Sequence, residues 1–412
     1  MAAHRAVVTL EGHIIDSLQL PRVWDTIMDL GGNFDVEEFR VGKKKNETSY
    51  VRMSVQARTE ARLGEILSVI QPMGATPIDQ GEAKLAKVRK NGVFPIDFYS
   101  TSNQPTWVRQ GGKWLEVEHI EMDCGIVVEE GRARVIPVDE ARTGQLVVVG
   151  YGGVRVQPLE RGRQRELFGF MQSQVSAEKP KKLIIREIAE SMKQVRADGG
   201  SIIFVGGPAI IHTGAGKHLS WLIRNDYIQV LFAGNALAAH DIESALYGTS
   251  LGISLVSGMG QEHGHEHHIR AINRIRSAGS IAAAVKQGVL KEGVMYEAVN
   301  AGVRTVLAGS IRDDGPLPDV ITDMVVAQKA MRGAIHETDV RMALMVSTML
   351  HSIATGNLLP ASVRAVCVDI EPAVVTKLAD RGSFQTIGLV TDVESFLREL
   401  VSDLQGKPVD PR

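Results

Sequence analysis

From Lys182 onward the sequence repeats one phrase: a short apolar run, then glycine or a small polar residue, then helical spacing. The apolar runs fall at 201–205, 228–232, 304–307, 364–368 and 386–390. Strands that follow one another through helices run parallel, because an antiparallel return needs only a tight turn and a parallel return needs a crossover. The phrase therefore predicts a doubly wound parallel sheet over residues 183–412, with ligands lying outside the carboxyl ends of its strands.

The earlier part of the chain has another rhythm. A β-like run at 5–15 leads to helical spacing at 21–30, stopped by Gly31 and Gly32. A strand near 33–41, a turn at 43–47, a strand of period two at 49–57 and a helix at 60–70 follow. With one more short strand, this is the ferredoxin-like order, expected over residues 1–92. Residues 93–160 read as a small β-rich region, with short runs at 125–128, 132–137 and 145–149 between glycine pairs. Residues 161–182, charged and containing Pro180, are the expected linker. The class is α/β: a ferredoxin-like start, a β-rich middle and a Rossmann-like carboxy-terminal domain. The balance of 41 glycines against 5% aromatic residues suits strand-to-helix turns better than an aromatic-rich sandwich.

Charge and apolar patterning exclude several function classes. The 46 basic and 48 acidic residues leave a formal charge of -2 without a block of like charge, so neither nucleic acid nor an anionic membrane is an expected partner. The longest strongly apolar run, 201–211, is far short of the roughly 20 residues that span a bilayer. The amino terminus reaches Glu11, His13 and Asp16 before any continuous apolar stretch, so no signal peptide is read and a cytoplasmic location is expected. Cys124 and Cys367 stand far apart without a CxxC pair, and are expected as buried thiols.

The chemistry is expected at the strand ends. Gly206-Gly207-Pro208, Gly234-Asn235-Ala236, Ala308-Gly309-Ser310 and Asp369 each follow an apolar run. Glycine lets a ligand approach the backbone, helix starts offer free N–H groups to a pyrophosphate, and an acid at a strand end suits a ribose diol. The bland alternative for the set is turn glycines and a helix-capping acid. Neither a G-x-G-x-x-G fingerprint nor a P-loop is present.

The polar cluster around His263, His265, His267 and His268 lacks zinc-protease spacing, and no metal site is assigned to it. Asp313 and Asp314 are adjacent, so one is expected to face a site while the other caps a helix beginning near Pro318. His240 and Asp241 read either as an acid–base pair in the crevice or as polar helix surface.

The segments Phe98-Tyr99-Ser100-Thr101-Ser102-Asn103, Met122-Asp123-Cys124, 233–243, 248–252, 307–320, 348–357 and 368–383 together carry a resemblance. In this order they resemble the archaeal-type ornithine cyclodeaminases, also described under the lysine-oxoglutarate reductase/saccharopine dehydrogenase domain name. The resemblance implies an NAD-binding domain similar to that of deoxyhypusine synthase, which lacks the usual glycine fingerprint. It implies Asn235, Ala236, Asp314, Ser347, Thr348 and Asp369 along the dinucleotide, with Gly382 and Ser383 beside them.

The implied reaction turns L-ornithine into L-proline and ammonia with no net redox change. Hydride leaves Cα, the δ-amine attacks the resulting imine with loss of ammonia, and hydride returns to the cyclic imine. For the proton work the candidates are Asp241, His240 and Asp313, with Asp123, Asn103 and Thr106 from the β-rich region on the substrate side. Cofactor and partners are then NAD, a small amino-acid substrate and further copies of the chain, as a dimer or tetramer. A net NAD-dependent amino-acid oxidoreductase and a metabolite-sensing binding protein are the alternatives.

Overall fold

The structure, a computed structural model, describes residues 4–15, 18–43, 47–78, 81–157, 181–250, 253–254, 266–313, 315–380 and 386–406. It divides into two compact units, Met1–Phe170 with Leu359–Ser362, and Met171–Leu358 with Val363–Arg412. Among the described residues no helix is long and apolar enough to cross a membrane.

The first unit begins with an antiparallel sheet of four strands, β1 (His4–Gly12), β2 (Asn33–Arg40), β3 (Ser49–Ala57) and β4 (Thr76–Pro77), in the order β2-β3-β1-β4. That order, with helices Gln19–Asp29 and Glu60–Ile70 between strands, is the ferredoxin-like arrangement read from the sequence. Alternation explains its one-sided core. Val8, Leu10, Val51, Met53 and Val55 are fully buried with Leu20, Val23, Ile27 and Ile66 of the helices, while Thr9, Glu11, Tyr50 and Arg52 face the other way.

A second sheet in this unit has seven strands, β5 (Lys84–Lys87), β6 (Thr106–Gln110), β7 (Lys113–Glu118), β8 (Gly125–Glu129), β9 (Arg132–Ile136), β10 (Leu146–Val149) and β11 (Val154–Val156), ordered β11-β6-β7-β9-β8-β10-β5. The buried Gln71 side chain, at the end of helix Glu60–Ile70, donates to the carbonyls of Tyr151, at 3.2 Å, and Val154, tying the two sheets together.

The second unit is built on a parallel sheet. Its strands are β12 (Ser201–Gly206), β13 (Val230–Gly234), β16 (Arg304–Ala308), β17 (Val320–Ile321), β18 (Val340–Val346), β19 (Arg364–Asp369) and β20 (Thr386–Val390), with a small hairpin, β14 (Thr249–Ser250) and β15 (Ile253–Ser254), between β13 and β16. The order is β17-β16-β13-β12-β18-β19-β20, with every adjacent pair parallel.

The sequence reading of this sheet needs two corrections. Five apolar runs were expected and seven strands are present, the missing ones being β17 and β18. Strand β18 lies beside β12 near the middle of the sheet, where both faces are covered, and its residues from Met342 to Val346 are all buried. Its Val-Arg-Met-Ala-Leu-Met-Val text shows no period-two alternation, and methionine, alanine and leucine favour helices, so a central strand passes for part of one. The helix expected near Pro318 is likewise absent. Residues there lead into β17, and the next helix, Met324–Glu337, starts after Asp323, whose side chain accepts from Val326 N at 2.9 Å. Of the linker read at 161–182, residues 161–180 lie outside the described residues, and Lys181 opens the helix Lys181–Ala197.

Candidate active site

The chain enters the parallel sheet at β12, lays β13, β16 and β17 on one side, then crosses back to place β18, β19 and β20 on the other. The direction reverses between β12 and β18, and such a switch point opens a crevice at the carboxyl ends. Backbone contacts fix its floor. Gly207 N donates to Val346 O at 3.0 Å, and Ser347 N donates to Val368 O at 2.9 Å, so the ends of β12, β18 and β19 are joined.

Gly207 is required for contact rather than for φ. A Cβ there would stand 1.8 Å from the Ser347 carbonyl oxygen. Ser347 itself has φ of 51°, a left-handed conformation that a serine adopts only under local constraint. Its hydroxyl is buried with no hydrogen-bond partner among the described residues.

The other strand-end candidates line the same edge of the sheet. Asn235 opens the helix Asn235–Tyr247 directly after β13, is buried, and accepts from Leu317 N at 3.0 Å, so it anchors the loop beyond β16. Ala236 follows it, half-buried, and Thr348 follows Ser347. Asp369 ends β19, is 9% exposed, and accepts from Glu371 N at 2.9 Å through Oδ1. A bare backbone at Gly207, an unsatisfied buried hydroxyl at Ser347 and a strand-end carboxylate at Asp369 fit the phosphates and ribose of a dinucleotide. Asp314, Gly382 and Ser383 lie outside the described residues, as do His263 and His265.

Beside this edge stands a side-chain network. His240 Nδ1 lies 2.9 Å from Glu243 Oε2, a pair spaced i, i+3 on one helix face. Glu243 is fully buried, and its Oε1 accepts from the Thr249 hydroxyl at 2.9 Å. Thr249 Oγ1 is in turn 2.8 Å from His267 Nδ1, and Tyr247 stacks on the His267 ring. On the other side, His212 packs edge-on against His240 with centroids 4.8 Å apart and shares a 2.6 Å hydrogen bond with Ser250.

Burial and the neighbouring His240 hold the His212 pKa below the usual imidazole value, with Glu243 opposing them. His351, packed against Gly234, is also lowered, by burial. In its pair with Glu243, Nδ1 of His240 is the donor, and Nε2 is the ring nitrogen that this pair leaves unused. Among the described residues no three His, Cys, Asp or Glu side chains form a metal-holding group.

The remaining candidates make other contacts. Both Asp241 oxygens accept backbone N–H groups, from Val294 and Met295 at 2.8 Å each, so this buried carboxylate holds the start of the helix Val294–Asn300. Desolvation pushes its pKa up to about 6 against the opposing pull of those two hydrogen bonds. Asp313 accepts from Ser310 N at 2.8 Å within its own turn.

Asn103, Thr106 and Asp123 belong to the first unit. Asn103 and Thr106 are buried, Asn103 O accepting from Ala361 N at 2.9 Å and the Thr106 hydroxyl donating to Gln104 O at 2.9 Å; Asp123 is exposed with φ of 61°. Both cysteines are buried and free, as read from the sequence. Cys124 donates to Glu121 at 3.0 Å, and burial with the nearby Asp369 pushes the Cys367 pKa up to about 12.

Residues 186–400 match the family described as arginine dihydrolase ArgZ-like, C-terminal, Rossmann fold. Residues 5–104 match the conserved region of the LOR/SDH bifunctional enzyme, and residues 105–185 the first region of the ArgZ-like C-terminal part. The chain belongs to this family. Within it, an ornithine cyclodeaminase of Methanocaldococcus jannaschii is 55% identical over 406 residues, 97% of this chain and 96% of that protein. A crystal structure of a conserved LOR/SDH protein of Methanococcus maripaludis aligns with a TM-score of 0.75 and 50% identity, over 79% of this chain and 99% of that one. The complex of AgrE, a bifunctional arginine dihydrolase/ornithine cyclodeaminase of Nostoc, with ornithine and NAD⁺ aligns with a TM-score of 0.52 and 40% identity, over 98% of this chain and 58% of that one. The family's Rossmann fold is the parallel sheet read from the strand–glycine–helix phrase.

Proposed function

We propose that the chain is an NAD-dependent ornithine cyclodeaminase, converting L-ornithine to L-proline and ammonia. The observation that carries this reading is the 55% identity to an ornithine cyclodeaminase across 96% of that protein's length. The crevice at the strand ends, and the complex of the related AgrE with both ornithine and NAD⁺, support it.

NAD, when bound, supplies reversible two-electron exchange at the substrate's α-carbon. The chain's own work is binding, orientation and proton handling. Asn235, Ala236, Ser347, Thr348 and Asp369 are assigned to the dinucleotide, with Asp314, Gly382 and Ser383 beside them. Nε2 of His240 takes a proton from the substrate's ammonium, and Glu243 positions the ring and balances the imidazolium. Asp241 and Asp313 hold backbone and are assigned no part in proton transfer to or from the substrate. Because both redox half-steps occur at one carbon, the substrate must stay in place between them, and a fixed geometry favours closure over escape.

This reading makes the chain a lyase of proline biosynthesis, working in the cytoplasm as a dimer or tetramer. Support for an oligomer comes from apolar side chains exposed at the carboxyl-end rim, with Ile311 at 105%, Met324 at 80%, Leu350 at 75% and Ile370 at 71%. The activity test is stoichiometry. One ammonia and one proline should form per ornithine, with no lasting absorbance of reduced dinucleotide; accumulation matching ornithine consumed would make the protein a net dehydrogenase instead.

A further inference from the structure

The first unit contains a cavity of about 600 Å³ that the cyclodeaminase reading does not use. One wall comes from the polar face of the ferredoxin-like sheet, at Thr9 and Glu11 of β1 and Thr76 of β4. The opposite wall comes from the second sheet, at Arg109 of β6, Trp114 of β7 and Arg155 of β11. Register explains why these three side chains share a face. Arg109 is paired directly with Trp114 across β6 and β7, and Arg155 is paired with Trp107, two residues before Arg109.

Hydrogen bonds tie down the backbone of both walls. Thr9 donates to Thr76 O at 3.3 Å, Arg109 N donates to Gly153 O at 2.7 Å, and Gln71 bridges from the first sheet's helix to the carbonyls of Tyr151 and Val154.

The composition of this lining points to a ligand. Of the described residues that line the cavity, the ionised ones are Arg109, Arg155 and Glu11, a net charge of one positive. Glu82, which is not part of the lining, stands 3.9 Å from Arg109. Guanidinium groups match carboxylates through paired N–H donors, a carboxylate suits an ammonium, and threonine hydroxyls serve either. A cavity of several hundred Å³ with a few polar groups of fixed position is the form of a small-molecule site. Two cations and one anion complement a molecule with two carboxylates and one ammonium.

We propose that this cavity is a second binding site, for an acidic amino acid of the glutamate or aspartate type, held by its carboxylates on Arg109 and Arg155 and by its ammonium on Glu11. None of the residues lining the cavity is among those assigned to ornithine or to the dinucleotide, and the occupant differs from ornithine in charge.

Isothermal titration of the full chain, saturated with NAD, with L-glutamate, L-aspartate, L-arginine, L-ornithine, L-proline and inorganic phosphate tests this. Glutamate or aspartate should bind one per chain. That affinity should fall at least ten-fold in Arg155→Gln and in Glu11→Gln, while turnover of ornithine alone in these variants stays within two-fold of the parent. Both substitutions lie at exposed positions, and a circular dichroism spectrum matched to the parent checks their folding. The proposal is overturned if neither acidic amino acid binds, if binding survives both substitutions, if phosphate binds equally well and marks a simple anion site, or if arginine or ornithine is preferred there. Loss of ornithine turnover in the parent would instead count against the cyclodeaminase reading and leave the glutamate titration standing.

Discussion

The crevice at the carboxyl ends and the histidine network beside it are built from opposite materials. The crevice is made of backbone: Gly207, the left-handed Ser347 and the last residues of β12, β18 and β19, locked by main-chain hydrogen bonds. The network is made of side chains, with the half-buried His212, His240 and His267 joined by ring contacts and hydrogen bonds around the buried Glu243 and Thr249. A backbone site tolerates no added atom but depends little on which side chains surround it. A side-chain site depends on each member, because an unpaired buried polar group is costly. Substitutions in the two regions should therefore fail differently, one through binding and the other through turnover.

Gly207→Ala should have the largest effect. Its methyl group would overlap the Ser347 carbonyl, and displacement of that loop should weaken dinucleotide binding by ~1,000-fold, read by equilibrium dialysis. Affinity within a few-fold of the parent would break the contrast, since the crevice would then be pliable.

Asp241→Asn separates a structural carboxylate from a chemical one. The Asp241 pKa rises from 3.8 to about 6 on folding, so the folded chain keeps a proton that the unfolded chain has lost. The stability this gives is complete below the unfolded value and is lost as pH climbs through about 6, a change of about 3 kcal/mol. Denaturant titrations of the parent and of Asp241→Asn should therefore show the parent's relative stability declining between pH ~4 and ~7. A difference that does not vary with pH would mean that the two backbone N–H groups fully compensate the buried charge.

Glu243→Gln should lower kcat by ~50-fold with dinucleotide affinity held within about two-fold, because the ring of His240 loses its orienting anion. Its pH profile should also move, which loss of packing alone would not produce. Equal losses in kcat and in NAD binding would merge the two regions into one. Asp369→Ala is the mildest: under the proposed assignment of Asp369 to the ribose it should weaken NAD by ~10-fold while the melting temperature stays put; unchanged affinity would remove Asp369 from the proposed cofactor site.

The two regions also differ in how legible they were. Strand ends announce themselves where an apolar run gives way to glycine or a polar residue, a local pattern, and Asn235 and Asp369 stand at such ends. Ser347 is carried by the family resemblance alone, since β18 has the composition of a helix and no alternation to betray it. The ferredoxin-like order is readable because Val51, Met53 and Val55 of β3 alternate with the polar residues Tyr50, Arg52, Ser54 and Gln56.

The network was mostly hidden. His240 stands out in the sequence, whereas its partner Glu243, three residues on, lies inside a family string, although that i, i+3 spacing on a helix is a signal a sequence can offer. Thr249 and Ser250 likewise lie within a family string, 248–252, whereas His212 gives no signal, because it meets Ser250 and His240 only through tertiary packing. Asp241 drew attention as an acid beside a histidine, and only the fold reveals that both its oxygens are occupied by Val294 and Met295.

The central claim is that electrons leave the substrate's α-carbon and come back to it within one binding event. Stopped-flow mixing of the NAD-loaded protein with L-ornithine deuterated at Cα tests it directly, followed by mass spectrometry of the product. A brief rise and fall of reduced-dinucleotide absorbance, with the deuterium recovered at Cα of proline, is the expected result. Proline formed without that transient, or with hydrogen from solvent in place of the label, would contradict the account.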